Sequence, residues 1–529
     1  MPVNPSTPGV EVQEVPGGVR TITGVATSVT AFIGRTRRGP ADSPQLVQSV
    51  ADYERVYGGL WRESPLSYAV RHYFLNGGRD AVICRVHHDA AAATLTLPPG
   101  LRLQASSPGS WGNGLRVRVA EAPAGAGEAA DSRFDLWVKD SDTGSVEAFL
   151  NLSTDPAHHR FATAVIAAAS HLVAVSGPVP TARPAAHASA PAGTDPLDGT
   201  ESSSAFGQDG DDGGPVVETD ISATGLEAGR QGLWLLDHAD IVNLICIPPL
   251  SPTTDVGKAT WDAAIDYAEN RRAVVVVDPP SGWTGPDSVI AGLDAHVTRH
   301  PNAALYFPRL NAPDPLRDNQ LDVVAPSGAV AGVIARTDAQ HGVWKAPAGL
   351  DASLRGMVQV VTTLTDAEIG RLNPLGVNCV RPLPGAGPVV WGARTLAGVD
   401  DQGGEWTYLP VRRTALFIEE SLVRGLQWVV FEPNDEPLWS KIRLSAGAFL
   451  NDLFRQGAFQ GTTAREAWFV RCDADTTTRA DVESGIVTVV VGFAPLKPGE
   501  FVVTSLRQRA GQVPDQGRAP QAPFGLSAS

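Results

Sequence analysis

Two stretches constrain this chain more than any others. "ADIVNLICIPP" (239–249) and "RRAVVVVDPP" (271–280) are apolar runs, each stopped by a Pro-Pro pair. A half-exposed strand alternates polar and apolar residues. A run that is apolar at nearly every position must be covered on both faces, as strands of parallel sheets are. Between the two, "TWDAAIDYAENR" spaces Trp261, Ile265 and Ala268 as one helical face. The three segments predict a βαβ unit inside an α/β region over residues 225–395. A second strand–helix–strand unit is expected over 25–95, from "VTAFIG", "SPLSYAVRHYFLNGG" and "DAVICRV". Its helix gathers Leu66, Val70, Tyr73 and Phe74 on one face, and Asn76-Gly77-Gly78 stops it.

Residues 96–176 change character. "TLTLPPGLRLQAS", "NGLRVRVAEA" and "DSRFDLWVKDSDTGSVEAFLNL" alternate with a period of two and turn at Gly, Pro or Asp, which predicts a small β domain. The residues that follow, about 177–220, are Pro, Ala, Gly, Ser and Asp with almost no large apolar side chains. Such a composition is expected to stay a disordered, exposed loop. Over 400–510, "PVRRTALFIEESLVRGLQWVVFEPN" reads as a helix running into a strand. "EPLWSKIRLSAGAFLNDLFRQGAF" reads as an amphipathic helix with Trp439, Ile442, Ala446, Phe449, Leu450 and Leu453 on its apolar face. "GIVTVVVGFAPLKPGEFVVTSLRQ" reads as two strands about a Pro/Gly connection. Residues 511–529 read as a frayed tail.

With 529 residues, 43% of them hydrophobic, the chain can build two to four domains. Its net charge of −15 argues against nucleic-acid binding, which needs a basic patch. No signal-peptide pattern and no membrane-spanning run is visible, so synthesis and first folding in the cytoplasm are expected. Cys84, Cys246, Cys379 and Cys472 are isolated, with no CxxC pair, and read as reduced core residues.

The residues carry little chemistry. "SPTTDVGKAT" falls short of a phosphate-binding loop, with Pro252 in place of the first glycine and Ala259 in place of the magnesium-holding Ser or Thr. "DADTTTRADVES" begins like a calcium loop at Asp473 and Asp475, but Thr478 and Ser484 stand where Gly and Glu are needed. His87-His88 and His158-His159, if on strands, would point to opposite faces. Asp278, His296 and Ser327 follow the chain order of one class of serine protease. They lack its local motifs, and Ser327 reads more simply as a helix N-cap. No catalytic, metal or cofactor-binding residue is expected.

The first residues pose a different question. "PSTPGVEVQEVPGGVRTITGV" alternates like a strand, yet a lone strand is unstable in water and this one has no hairpin partner nearby. Together with "YFLNGGRDAVICRV", "ALYFPRL", "SGAVAGVIARTDAQHGVWKAPAG", "LNPLGVNCVRPLPGAGPVVWGARTL", "FEPNDEPLW" and "CDADTTTRADVESGIVTVVVGFAPLKPGEFVV", it resembles the contractile tail sheath proteins of phage tails and phage-tail-like injection systems. The resemblance covers both ends and the middle and is weak over 96–224, where outward-facing insertions vary in that family.

The resemblance implies a multidomain α/β and α+β chain. It would comprise an exchange arm (1–24), the N-terminal part of the core (25–95), an outer β domain with its loop (96–224) and a subtilisin-like α/β domain (225–395). A compact inner C-terminal domain (400–510) and the tail would follow. It implies a non-enzymatic structural subunit, stacked helically in rings that are expected to be six-fold around an inner tube. Baseplate and tail-terminator proteins are further expected partners; nucleic acid and membrane insertion are not. The terminal arms would add strands to neighbouring subunits, through Val10, Val12 and Val15 at one end and Phe501, Val502 and Val503 at the other. Gly17, Gly18 and Gly24 would let the first arm swivel. Lys441, Arg443 and Arg455, on the innermost domain, would face the tube. Contraction from a metastable extended state would need no nucleotide. The phage virion sheath is the alternative to an injection system.

Overall fold

The computed structural model describes residues 20–123, 132–398 and 404–499. Apart from Pro498 and Gly499, these belong to one compact unit, residues 1–497.

The apolar runs become the middle of an eight-stranded sheet. Its strands are β1 (Thr30–Gly34), β2 (Gln45–Val47), β3 (Ala81–Arg85), β4 (Leu244–Cys246), β5 (Val274–Val277), β6 (Ala303–Phe307), β7 (Val377–Leu383) and β8 (Gly387–Val390). Their order is β8-β7-β6-β5-β4-β1-β3-β2. The six central strands are parallel, and β2 and β8 close the edges antiparallel. The two strand–helix–strand units are thus halves of one sheet, joined where β1 lies beside β4.

Helices cover both faces, as continuous apolar strands require. On one face Trp261, Ile265 and Ala268 of α2 (Lys258–Asn270) and Val289 and Leu293 of α3 (Pro286–His296) pack on Ile245, Val275, Val277 and Leu305. On the other, Leu66, Val70 and Tyr73 of α1 (Pro65–Leu75) and Val330, Val333 and Ile334 of α4 (Ser327–His341) pack on Phe32, Ile83, Val274 and Tyr306. The small residues of α4 let it cross α1 closely. A β-carbon at Gly328 would stand 2.2 Å from the Ala69 carbonyl oxygen, and one at Gly332 2.4 Å from that of Tyr73.

The predicted β region forms two small sheets around Leu101, Leu115, Val117, Phe134, Leu136 and Val138. The expected disordered loop is corrected here. Residues 177–220 run along this domain with Leu197 and Phe206 buried, and Ser204–Ala205 adds a strand beside Leu115–Glu121. Polar contacts replace the missing apolar surface. The Arg116 guanidinium donates to the carbonyls of Leu197 and Gly199 and to Ser203 Oγ, and Lys139 pairs with Asp195 and Asp198, both at 2.6 Å.

A second correction concerns "LQWVVFEPN". The helix α5 (Leu409–Gly425) ends in a 3₁₀ turn at Gln427–Val429, not a strand. Trp428 and Val429 pack against Leu438, Trp439 and Ile442 of α6 (Glu436–Arg455). Phe431 is fully exposed and has a left-handed backbone, φ 70°, which a strand does not allow. Asp435 then caps α6 through the Leu438 N–H. All six apolar residues expected on the inner face of α6 are buried.

Candidate assembly interface

α5 and α6 carry a small sheet at the C-terminal end of the described chain. Trp468–Arg471 and Val490–Phe493 pair antiparallel, Trp468 opposite Phe493 and Arg471 opposite Val490. Trp468, Val470, Val491 and Phe493 pack against the α6 cluster. Among the described residues the sheet has two strands only, so both outer edges offer unpaired backbone groups. Such edges are templates for another strand. The sequence reading missed Trp468–Arg471. Its signal is short: Glu466 accepts from the Thr462 and Thr463 N–H groups as a helix-start box, and an alternating W-F-V-R follows.

The root of the N-terminal arm lies against the same helices. Ile22 is buried with Ile418, Ala446, Phe449 and Leu450. The Val25 N–H donates to Ser421 Oγ at 3.2 Å. Arg20 stacks over Trp428, 5.1 Å from the ring centre. Thr27 is tied in twice, its hydroxyl donating to Asp338 and its carbonyl accepting from Arg413. Arg413 and Asp338 are themselves a buried ion pair at 2.6 Å, joining α5 to α4. Removing one partner of such a pair leaves a buried charge without compensation. Gly24 is therefore no swivel: a β-carbon there would come within 2.8 Å of the Phe417 ring. It is small to allow close approach. Val10, Val12, Val15, Gly17 and Gly18, and Phe501, Val502 and Val503 at the other end, lie outside the described residues.

The three cations expected to face a tube are separated by the helix. Lys441 and Arg455 are exposed, about four turns apart on one side of α6. Arg443 sits about 160° round from Lys441. It is half-buried, donates to the Cys472 carbonyl and pairs with Glu436 at 2.5 Å. Arg443 holds the loop after Trp468–Arg471, whereas the other two are unpaired among the described residues.

Ser327, Asp278 and His296 do meet, but in the wrong order for a triad. The Ser327 hydroxyl and N–H both donate to the Asp278 carboxylate, at 2.6 and 2.8 Å. His296 Nε2 lies 2.9 Å from the Asp278 backbone carbonyl oxygen, and no hydrogen bond joins it to Ser327. A nucleophile needs the imidazole between itself and the acid. Ser327 is wholly buried. The expectation that Ser327 caps its own helix is also corrected: Asp278, at the end of β5, caps α4 from outside. Burial pushes its carboxyl up to about 6, against the Ser327 hydrogen bonds, which lower it.

The remaining motifs resolve locally. Asp473 turns back on the N–H groups of Asp475 and Thr476. Lys258 reaches Asp262 and Thr298. His158 and His159 lie in a turn with ring centres 4.2 Å apart, not on a strand. Among the described residues no cluster of His, Cys, Asp and Glu could hold a metal, and no helix is long and apolar enough to cross a membrane. The four cysteines are free and buried.

Residues 242–396 match the phage tail sheath protein central domain, and residues 401–509 the phage tail sheath C-terminal domain. A putative prophage major tail sheath protein of Pseudomonas aeruginosa (strain UCBPP-PA14) is 25% identical over 284 residues, 53% of this chain and 69% of the relative. Among solved structures, the PVC sheath complex of an extracellular contractile injection system, in its contracted state, superposes with a TM-score of 0.58 at 20% identity. It covers 96% of this chain and 99% of its own. The sheath tail protein of Listeria innocua gives 0.59 at 15% identity, over 90% and 96%. These two structures share the mixed α/β, multidomain fold.

Proposed function

On the premise that this chain belongs to the phage tail sheath family, we propose that it is the structural subunit of a contractile sheath. It polymerises helically around an inner tube and drives that tube forward by collapsing from a metastable extended state. The observation that carries this reading is the pairing of an open two-stranded sheet with an arm whose root is clamped beside it. Each chain offers edges, and its first residues alternate in sequence as a strand does, so copies can knit through strand addition. Contacts of that heterologous kind do not close on themselves and generate helical assemblies.

In this proposal Val10, Val12 and Val15 and Phe501, Val502 and Val503 are the exchanged strands. Lys441 and Arg455 face the tube, and Arg443 acts by holding the sheet. Rings of six, a baseplate, a tail terminator and assembly in the cytoplasm belong to the same reading, as does the domain division set out from the sequence. The α/β part is a subtilisin-like scaffold whose acid and serine serve as a helix cap. The system is a phage-tail-like injection system, supported by the contracted PVC sheath over nearly the whole chain. The second reading, a phage virion sheath, is supported by the prophage relative.

Negative-stain microscopy of the chain co-expressed with its tube protein tests the function. Striated sheaths on tubes are expected. A monodisperse monomer that never associates with tubes overturns it.

A further inference from the structure

The sheet carries a cavity that none of this uses. Connections leaving β1 and β4 run to opposite faces, α1 on one and α2 on the other, so the strand order reverses between them. Ligands of open α/β sheets bind at the carboxyl ends of the strands at such a reversal. A cavity of about 110 Å³ lies there. Pro248 and Pro249, just after β4, Pro65 at the start of α1, and Pro313, Val323 and Val324 of the antiparallel hairpin Leu310–Asp314/Gln320–Val324 form its apolar walls.

Two buried polar side chains stand in its wall, and one of them keeps a carboxylate oxygen that accepts no hydrogen bond. Asp314 is 2% exposed. Its Oδ1 accepts from the Tyr68 hydroxyl and the Leu316 N–H, both at 2.9 Å, while its Oδ2 accepts nothing. The nearest cation, Arg62 Nε, is 3.9 Å away on a largely exposed side chain, beyond hydrogen-bond range. His72 is also 2% exposed, and its ring makes no hydrogen bond among the described residues. Burial, with Arg71 nearby, pushes its pKa down to about 4, so it presents a neutral ring with a free lone pair. The other charges around the cavity are engaged elsewhere. Arg309 is committed to Asp255 and the Pro279 carbonyl, and Asp322 faces Arg317 at 3.5 Å.

Buried acceptors left unfilled are costly, and these two share one wall. We propose that this cavity binds an alkylguanidinium group, its N–H groups donating to Asp314 Oδ2 and His72. A guanidinium brings several donors in one plane. It is weakly hydrated, so its faces suit proline and valine walls. The volume is of the right order, since a cavity of about 150 Å³ takes a benzene ring. The group can arrive on a small molecule or as an arginine of a second copy of this chain, which holds 37 arginines against 5 lysines.

Titration of the purified chain with butylguanidinium, followed by calorimetry, tests the site without reference to assembly. Saturable binding is expected. Asp314→Asn, checked for folding by circular dichroism, should weaken it about tenfold or more. Arg62→Gln, which removes the competing cation, should tighten it. Absence of saturable binding, or binding that both variants leave unchanged, overturns the proposal. Given binding, the source is read from polymerisation. If the ligand is a neighbour's arginine, butylguanidinium slows polymerisation and Asp314→Asn mimics it. If it is a small molecule, the variant polymerises like the parent chain. Loss of the sheath function alone would leave the titration result standing.

Discussion

The central sheet and the small C-terminal sheet solve the same problem in opposite ways. In the first, parallel strands are covered by helices on both faces; the edge strand β8 is bridged further by Gly349, Ser353 and Leu354, and the other edge is the short strand β2. In the second, two strands sit on α6 with both outer edges unpaired among the described residues. Strand edges are a hazard that proteins ordinarily cover or charge. On the proposed function, the central sheet folds for itself and the C-terminal sheet is the part a second chain would finish. The largest expected effect follows directly. Removing residues 1–19 should abolish continuous sheaths while the monomer keeps its circular dichroism and melting temperature. The clamp at Ile22, Val25 and Thr27 remains in place. A truncated chain that still builds normal extended sheaths would break the comparison.

The opposite failure is expected in the core. Trp261 is buried at 1% exposure between α2 and the sheet. Trp261→Ala should cost about 3–5 kcal/mol, read by urea denaturation, and unfold the central region before any question of assembly arises. Deleting residues 178–215 should also destabilise rather than spare the outer β domain, because Leu197 and Phe206 are part of what covers it. Hydrogen exchange on Leu115–Glu121 would show the loss, and unchanged protection would return that segment to the status of a passive loop.

These contrasts also explain what was legible in the sequence. The βαβ run, α1 and α6 were legible because their apolar spacing has a single burial solution. The segment 177–220 was not, because composition measures apolar area and is blind to Arg116 holding two carbonyls and a serine. "QWVVF" has strand composition, but no spacing rule shows that Phe431 turns into the left-handed region. Gly24 reads identically as a hinge or as a close contact, and only the Phe417 ring separates the two. The cap on α4 comes from Asp278, 49 residues upstream of Ser327, beyond the reach of any local motif. The families matched account for residues 242–396 and 401–509, which hold the legible βαβ run and α6 but also "QWVVF" and the Asp278 cap.

Asp278 gives a smaller, pH-dependent effect inside the closed region. Its folded pKa, about 6, lies above the usual carboxyl value of 3.8. The folded chain therefore holds this proton over a range where the unfolded chain has lost it. The stabilisation is complete below about pH 4 and is lost as pH rises through about 6, with a total of order 1–3 kcal/mol. Asp278→Asn keeps both contacts, with Oδ1 accepting the Ser327 N–H and Nδ2 donating to Ser327 Oγ. Its melting temperature should be flatter between pH 4 and pH 7 than that of the parent chain. An identical slope would mean that Asp278 stays ionised in the fold.

The smallest effect sharpens the comparison at the inner face of α6, and it requires treating the three cations separately. Reversing all three at once would confuse a surface charge with a structural one. Arg443 donates to the Cys472 carbonyl and pairs with Glu436, so Arg443→Glu removes a charged hydrogen bond and sets two acids side by side. A loss of about 1–3 kcal/mol in monomer stability is expected, with weaker strand exchange as a secondary consequence. Lys441 is exposed and unpaired among the described residues, so Lys441→Glu should change stability by less than about 0.5 kcal/mol. Arg455 closes the last turn of α6. Replacing it with Glu puts a negative charge at the negative end of the helix dipole, which costs about 0.3–1 kcal/mol. If the open region is finished by a tube as well as by neighbouring arms, Lys441→Glu with Arg455→Glu should weaken sheath–tube co-sedimentation while sheath–sheath pairing survives. The loss should grow as salt is lowered, because opposed like charges are screened less. Equal co-sedimentation of the double variant and the parent chain at low salt would assign that face to solvent and leave the arm edges as the sole assembly surface of the C-terminal region.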